Sequence, residues 1–337
     1  MASLNRAIFA LSNRATLGPL PSLPTLKDGE ILLKVAWSAV NRADTLQRTG
    51  KYPPPLGASE ILGLEASGIV SSVSTNVTYP LVGDRVMALL SGGGNADYVI
   101  CQANQTMKVP TNMSLRTASA VPETWLTAFQ LLFLVANAKS GESVVIHAAG
   151  SGVGTAAVQL ASNRGLFVIA IAGSDRKLEI AKSLGASAII NYKTSTDWAA
   201  EIKSYTSGKG ADIILDPVGA SFWKSNIDAA AVDSRWILYG SLGGVNIEGP
   251  LFGKLMQKRI QLLTTTLRSR TNEYKASLVE AFTRDVLPLF SSEVFKPIID
   301  KEFVLEDTHE AHMYMESNEN IGKILIKVNG NDNDDEK

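Results

Sequence analysis

Cysteine is almost missing from this chain: Cys101 is the only one in 337 residues. No intramolecular disulfide can form, no Cys-rich zinc knuckle can be built, and the chain suits a reducing compartment. Histidine is scarce as well, with three copies. Net charge is missing: 32 Lys and Arg stand against 33 Asp and Glu, which leaves -1. No broad attraction to nucleic acid or to an anionic membrane is therefore expected. No apolar run is long enough to span a bilayer. No acidic residue precedes Asp28, while Arg6, Arg14 and several Ser and Asn do. Mitochondrial transit peptides share that composition. Residues 6–11, however, read as a strand that begins at once, so a cytoplasmic location is expected. Sequons at Asn76, Asn104 and Asn112 carry no weight without a secretory signal.

What is present is an ordinary globular balance, 45 % hydrophobic and 19 % charged. The length suits about two domains at ~150 residues each. Residues 30–36 read as a strand that feeds a turn at 40–44. Residues 63–73 and 82–90 are Gly-punctuated strands, and 94–101 continue the pattern. The texture changes near Pro110, and helical patterns occupy parts of 114–138. Strands at 143–147, 166–172, 188–190, 211–215 and 235–239 then alternate with helices at 152–164, 175–184 and 197–206. Such alternation means crossover connections and a parallel sheet. After about residue 265 the pattern is helical until a last strand at 323–328. Residues 330–337 are a polar acidic tail, expected to be disordered.

The strongest local signal runs from Val144 to Ala156, VVIHAAGSGVGTA. A buried strand enters a turn of small residues and leaves it as a helix. Backbone amides at such a helix start are unpaired donors at the positive end of the dipole, and they hold a pyrophosphate. Small residues are needed because a Cβ would block the approach. The match to G-x-G-x-x-G is imperfect, with Ala149, Ser151 and Gly154 at the three positions. Small-residue turns also serve plain strand–helix packing. A nucleophile elbow at Ser151 would need glycine at 149 and 153, where Ala and Val stand.

The next strand bears on the choice of cofactor. NAD enzymes place Asp or Glu about 20 residues on, where it binds the ribose hydroxyls. Here Gly173 and Ser174 occupy that place, and Lys177 follows one helical turn later. A carboxylate would repel a 2′-phosphate; a hydroxyl and an ammonium would hold it. NADPH is therefore the expected cofactor, with Asp175 capping the helix. The competing reading makes Ser174 an exposed cap and Lys177 a solvated side chain.

The segments NRAD at 41–44, GLEASG at 63–68, GDRV at 83–86, PETWLTAF at 122–129 and NIGK at 320–323 extend the pattern. So do SGVGTAA at 151–157, YGSLGG at 239–244, GPLF at 249–252 and LRSR at 267–270. With them the chain resembles the quinone oxidoreductase branch of the medium-chain dehydrogenase/reductase superfamily over nearly all its length. The resemblance implies an α/β fold: a GroES-like β-rich catalytic domain plus a Rossmann doubly wound parallel-sheet domain, with the cofactor held in the cleft between them. The implied division is 1–121 and 266–329 for the catalytic domain, 122–265 for the NADPH domain and 330–337 for the tail. Ser151, Gly152, Val153, Gly173, Ser174, Lys177 and Tyr192 are implied as pyrophosphate, 2′-phosphate and adenosine contacts. Gly240, Ser241 and Leu242 are implied on the nicotinamide side, with Leu267, Ser269 and Asn320 as further cofactor contacts. The family is usually dimeric, and the apolar strand at 259–265 either pairs with its copy or lies inside one subunit.

Zinc alcohol dehydrogenases of the superfamily carry a Cys near Asn41-Arg42 and a His where Leu64 stands. Neither ligand is present, so no metal is expected. His147 reads as a packing residue, and His309 and His312 as ordinary residues of one helix. Glu65 reads as a structural carboxylate. A quinone accepts hydride without a Lewis acid, and neutral hydrogen-bond donors suffice for the charge that develops on its oxygen. Tyr52, before Pro53-Pro54-Pro55, is the candidate donor; the rival reading is a packed loop tyrosine. Asn41 is expected to position the cofactor or an oxygen, and Thr127 to border the nicotinamide. The small-molecule substrate is a quinone, or alternatively an alkenal or enone. A non-catalytic NADPH-binding role, structural or RNA-binding as for related crystallins, is the third reading.

Overall fold

The computed structural model describes residues 5–249 and 251–330. The expected acidic tail, from residue 331 on, lies outside the described residues. The chain forms two compact units, Met1–Leu126 with Leu267–Lys337, and Thr127–Thr266.

The second unit is built on one sheet. Its strands lie in the order Ala188–Asn191, Phe167–Ala172, Ser143–His147, Ala211–Asp216, Ala230–Leu238 and Gln261–Thr264. Every pairing is parallel. Counted along the chain this is 3-2-1-4-5-6, the doubly wound order whose strand ends bind dinucleotides where the order reverses. Ser143–His147 is buried at every position. Strands covered on both faces read as unbroken apolar runs, which is why this one is visible in the sequence. Val145, Ile169, Ile171, Ile214 and Trp236 pack one core. The fifth strand starts earlier than its apolar stretch suggests. Asp233 takes a left-handed backbone, φ 64, and interrupts the pattern without ending the strand.

The first unit centres on the long strand Glu30–Val40. Its first half pairs antiparallel with Tyr98–Gln102 and its second half with Lys323–Lys327. Glu65–Val73, Arg85–Leu89 and Thr106–Lys108 extend the sheet on one side, and Ile299–Val304 closes it beyond Lys323–Lys327. Ile31, Leu33, Val35, Val70, Val86, Ile324 and Ile326 form the core. A hairpin of Arg6–Leu11 and Arg14–Pro19 turns at Ser12 and Asn13, both at positive φ. That conformation matches the strand twist of a two-residue hairpin loop.

Two readings of the sequence are corrected here. The turn expected at 40–44 is the start of a helix, Arg42–Arg48. The Asn41 N–H donates to Asp44 Oδ2 at 2.8 Å, so a short polar helix is fixed by its cap and has no apolar period to announce it. The strand Ile299–Val304 falls where only helices were expected; its sequence IDKEFV carries three charges because it is an exposed edge.

Candidate functional site

In the second unit the first strand leaves the sheet at Ala148, which takes φ 51. Ser151 caps the following helix, Gly152–Asn163, its Oγ accepting the Gly154 N–H at 3.0 Å. The Ser151 N–H is spent on Ala148 O at 2.8 Å. Gly152 and Val153 therefore supply the first-turn amides that lack intrahelical acceptors. All three residues are partly exposed.

The second strand ends beside this turn. The Lys177 stem lies over Gly150, where a Cβ would stand 2.8 Å from the lysine Cβ and Cγ. The Tyr192 hydroxyl covers Gly173 at 2.7 Å from where a Cβ would be. Two close contacts, Lys177 on Gly150 and Tyr192 on Gly173, thus exist because these glycines lack side chains. Ser174 holds the cap position of the helix Asp175–Ser183, yet its side chain makes no capping bond. Asp175 is not the cap. It is the first helical residue, and its Oδ1 accepts the Asn191 Nδ2–H at 2.8 Å, which turns the carboxylate toward the third strand.

Gly240, Ser241 and Leu242 follow the fifth strand and are bound to the loop after the fourth. Leu242 N–H donates to Pro217 O at 3.0 Å and Gly243 N–H to Val218 O at 2.7 Å. Both loops lie at the carboxyl ends of parallel strands. The loop after the fourth strand was not singled out from the sequence, although its Asp216-Pro217-Val218-Gly219 is a turn signature. Asp216 organises it. Its Oδ1 accepts the Val218 and Gly219 N–H, and its Oδ2 accepts from Asn226 and Trp236. Asn226 Oδ1 in turn meets His147 Nε2 at 2.6 Å, so His147 is a packed, bonded core residue. Burial holds its ring below the usual histidine range.

The first unit gathers a buried polar cluster. Lys323 Nζ donates to Glu65 Oε1, Asn41 Oδ1 and Val40 O at 2.7, 2.8 and 2.8 Å. Asn41 Nδ2 donates to the same Glu65 oxygen at 2.8 Å. Glu65 Oε2 accepts the Glu123 N–H at 2.9 Å. The amide of Asn41 is thus occupied by the Glu65–Lys323 pair and buried. Holding that pair is a role the sequence did not indicate for Asn41. Arg268 donates to Ser91 O and Gln47 Oε1, and its guanidinium carbon sits 5.6 Å from the Tyr52 ring centre. Lys275 Nζ donates to Ser91 Oγ and Arg268 O. Tyr52 is partly exposed. Burial and the neighbouring Glu123 push its hydroxyl above the usual tyrosine range, against the pull of Arg268, so it remains a proton-bearing donor. Leu267 and Asn320 are buried, and Ser269 is exposed. The helix Pro122–Phe129 carries Glu123 in its first turn and a partly exposed Thr127 one turn later. Glu123, Arg268, Lys275 and Lys323 were not singled out from the sequence. Isolated charges in a sequence carry no sign that the fold draws them together.

No group of three His, Cys, Asp or Glu side chains among the described residues could hold a metal. Leu64 is buried apolar and Glu65 is committed to Lys323. His312 is fully buried and pushed down to about 3 by burial, with Arg48 and His309 adding to it. Among the described residues no helix is long and apolar enough to cross a membrane.

A doubly wound sheet with a small-residue turn, in a chain whose other unit is a mostly antiparallel sheet, defines a two-unit dehydrogenase-type protein. Residues 27–111 match the family described as alcohol dehydrogenase GroES-like domain, and 152–284 match that described as zinc-binding dehydrogenase. A probable quinone oxidoreductase of Schizosaccharomyces pombe is 32 % identical over 317 residues, 91 % of each chain. The synaptic vesicle membrane protein VAT-1 homolog of Danio rerio is 29 % identical over 90 % of this chain, which spans 65 % of that relative's length. The Escherichia coli quinone oxidoreductase solved with NADPH superposes with a TM-score of 0.83 at 27 % identity, over 96 % of this chain and 99 % of that one. The chain belongs to the medium-chain dehydrogenase/reductase superfamily, with quinone oxidoreductases among its relatives. The zinc in one family's description finds no ligand set among the described residues.

Proposed function

We propose that this chain is a cytoplasmic, zinc-independent reductase that takes NADPH and reduces quinones. The observation that carries the cofactor is the group Gly150, Gly173, Ser174, Lys177 and Tyr192, which follow the first three strands of the sheet and meet where Gly150 and Gly173 lack side chains. The Ser174 hydroxyl makes no capping bond, and the Asp175 carboxylate is bonded aside to Asn191. Gly152 and Val153 amides hold the pyrophosphate, Ser174 and Lys177 the 2′-phosphate, and Tyr192 the adenosine. Gly240, Ser241, Leu242 and Thr127 stand on the nicotinamide side, with Leu267, Ser269 and Asn320 as further contacts. The bound dinucleotide supplies a hydride. The Tyr52 hydroxyl donates a hydrogen bond to the oxygen on which charge develops, and a neutral donor suffices because a quinone is electron-poor.

The test is an NADPH-oxidation panel of ortho-quinones, para-quinones and unsaturated aldehydes, run in parallel with NADH. Quinone turnover with NADPH favoured is expected. Turnover confined to unsaturated aldehydes would transfer the reading to an enone reductase, and preference for NADH would reject the cofactor assignment. Tyr52→Phe is expected to lower quinone kcat/KM by roughly tenfold or more, the worth of one hydrogen bond to a charged oxygen. Unchanged kinetics would remove Tyr52 from the reaction.

The same proposal includes a homodimer formed by the outer strand Gln261–Thr264. Among the described residues that strand pairs on one side only, with Ala230–Leu238, and Leu262 is exposed. An unpaired apolar edge is a template for a second copy. Sedimentation is expected to show a dimer that Leu262→Asp dissociates; a monomeric wild type would refute it.

A further inference from the structure

One short run of the second unit, residues 216–222 after the fourth strand, touches both groups of residues assigned to the dinucleotide. On one side it is clasped to the loop after the fifth strand by four backbone bonds. Leu242 N–H donates to Pro217 O at 3.0 Å, Gly243 N–H to Val218 O at 2.7 Å, Ala220 N–H to Gly244 O at 3.1 Å and Ser221 N–H to Gly243 O at 3.2 Å. The clasp leaves no room for side chains: a Cβ on Gly243 would collide with Ser221 Oγ, and one on Gly240 would stand 2.8 Å from Pro217 O. At its other end the run presents Phe222. The ring centre lies 5.2 Å from that of Tyr192, 5.0 Å from His147 and 5.5 Å from Trp198. A second connection runs through side chains. His147 Nε2 meets Asn226 Oδ1 at 2.6 Å, Asn226 Nδ2 donates to Asp216 Oδ2 at 3.0 Å, and Asp216 Oδ1 accepts the Val218 and Gly219 N–H at 2.7 and 3.0 Å. His147, Asn226 and Asp216 are completely buried, so water does not compete for these bonds.

We propose that Phe222 links the two halves of the dinucleotide site, so that occupation of the adenosine side at Tyr192 orders the nicotinamide-side loop 240–244. The inference rests on the NADPH reading above. Tyr192 and residues 241–245 are exposed, and each has conformational freedom to lose when a ligand binds. A ligand packed against Tyr192 fixes its ring. Contacts between ring edges and faces are directional, so a fixed Tyr192 fixes Phe222. The run behind Phe222 is anchored at Asp216 and clasped to 240–244, and it cannot be ordered at one end alone. The nicotinamide half then meets a loop whose ordering cost is already met, which is positive coupling without a change of fold. Phe222 acts through Tyr192 and the clasp, and it is a positioning residue.

The probe is 2′,5′-ADP, which carries the adenosine and the 2′-phosphate and lacks nicotinamide. The clasp amides are those of Ala220, Ser221, Leu242 and Gly243, so hydrogen exchange reads the clasp directly. In the wild type, saturating 2′,5′-ADP is expected to slow exchange at Leu242 and Gly243 by about fivefold or more, the lower end of ordinary coupling between sites. Phe222→Leu keeps an apolar side chain and removes the ring. It is expected to bind 2′,5′-ADP, by calorimetry, with at most about a tenfold loss, the worth of one aromatic pair. The slowing at Leu242 and Gly243 disappears in this variant, and Phe222→Tyr, which keeps the ring, retains it. Coupling is reciprocal, so reduced nicotinamide mononucleotide binds the wild type about fivefold more tightly once 2′,5′-ADP is present, and the leucine variant loses that gain.

A wild type that binds 2′,5′-ADP with no change at Leu242 and Gly243 overturns the link and leaves the NADPH reading standing. Slowing that persists in Phe222→Leu routes the coupling elsewhere and overturns the part given to Phe222. A leucine variant that no longer binds 2′,5′-ADP makes Phe222 a wall of the adenosine side, which also overturns it. A wild type without affinity for 2′,5′-ADP overturns the cofactor reading, and the link falls with it.

Discussion

Lys177→Glu is expected to weaken NADPH binding about 100-fold, equivalent to about 3 kcal/mol, while NADH binding changes far less. Losing a charge-assisted bond to phosphate costs about 1.5–3 kcal/mol, and the new carboxylate adds repulsion. The aliphatic stem of Lys177 also covers Gly150. Lys177→Met therefore serves as the control, because it keeps the packing and removes only the charge. Fluorescence titration with both dinucleotides separates the two effects. Equal weakening for NADPH and NADH would mean that Lys177 shapes the turn and does not read the 2′-phosphate.

The second large effect falls on stability. Lys323→Met strands Glu65, which is completely buried and keeps only Asn41 and the Glu123 N–H as partners. Breaking a buried ion pair from one side costs about 3–5 kcal/mol. For a unit of this size that is a fall of about 10 °C in Tm. Adding Glu65→Gln to the same chain removes the stranded charge and is expected to recover most of the loss. Calorimetry of the single and double variants checks this. A single variant that melts with the wild type would show that the pair contributes nothing net. Asp44, buried in the same unit, is pushed up to about 6 by burial, although two backbone N–H groups hold it and Lys323 and Arg268 pull the other way.

Much of the second unit was readable because its signals are local. Five of its strands appear as apolar runs, and the glycine turn sits directly between strand and helix. Doubly covered strands cannot hide their composition. The first unit was harder. Its edge strand Ile299–Val304 carries its charges openly, and the helix after Asn41 is only seven residues long. Neither has the periodicity that a sequence reader can use. The candidate site divides in the same manner. Ser151, Gly173, Ser174 and Lys177 could be singled out because they follow strands at fixed offsets. Asn41 was found by resemblance, but its amide is occupied by Glu65 and Lys323, which the resemblance did not indicate.

The sequence by itself determined the parallel sheet, the small-residue turn and the non-acidic end of the second strand. Each is a property of neighbours along the chain, where steric and hydrophobic rules act over a few residues. Only the tertiary structure decided which charges are buried and what they meet. Glu65 and Lys323 are 258 positions apart, and Arg268 and Gln47 are 221 apart. Desolvation and Coulomb attraction depend on distance in space, so these groups acquire their chemistry only once the sheet has brought them together.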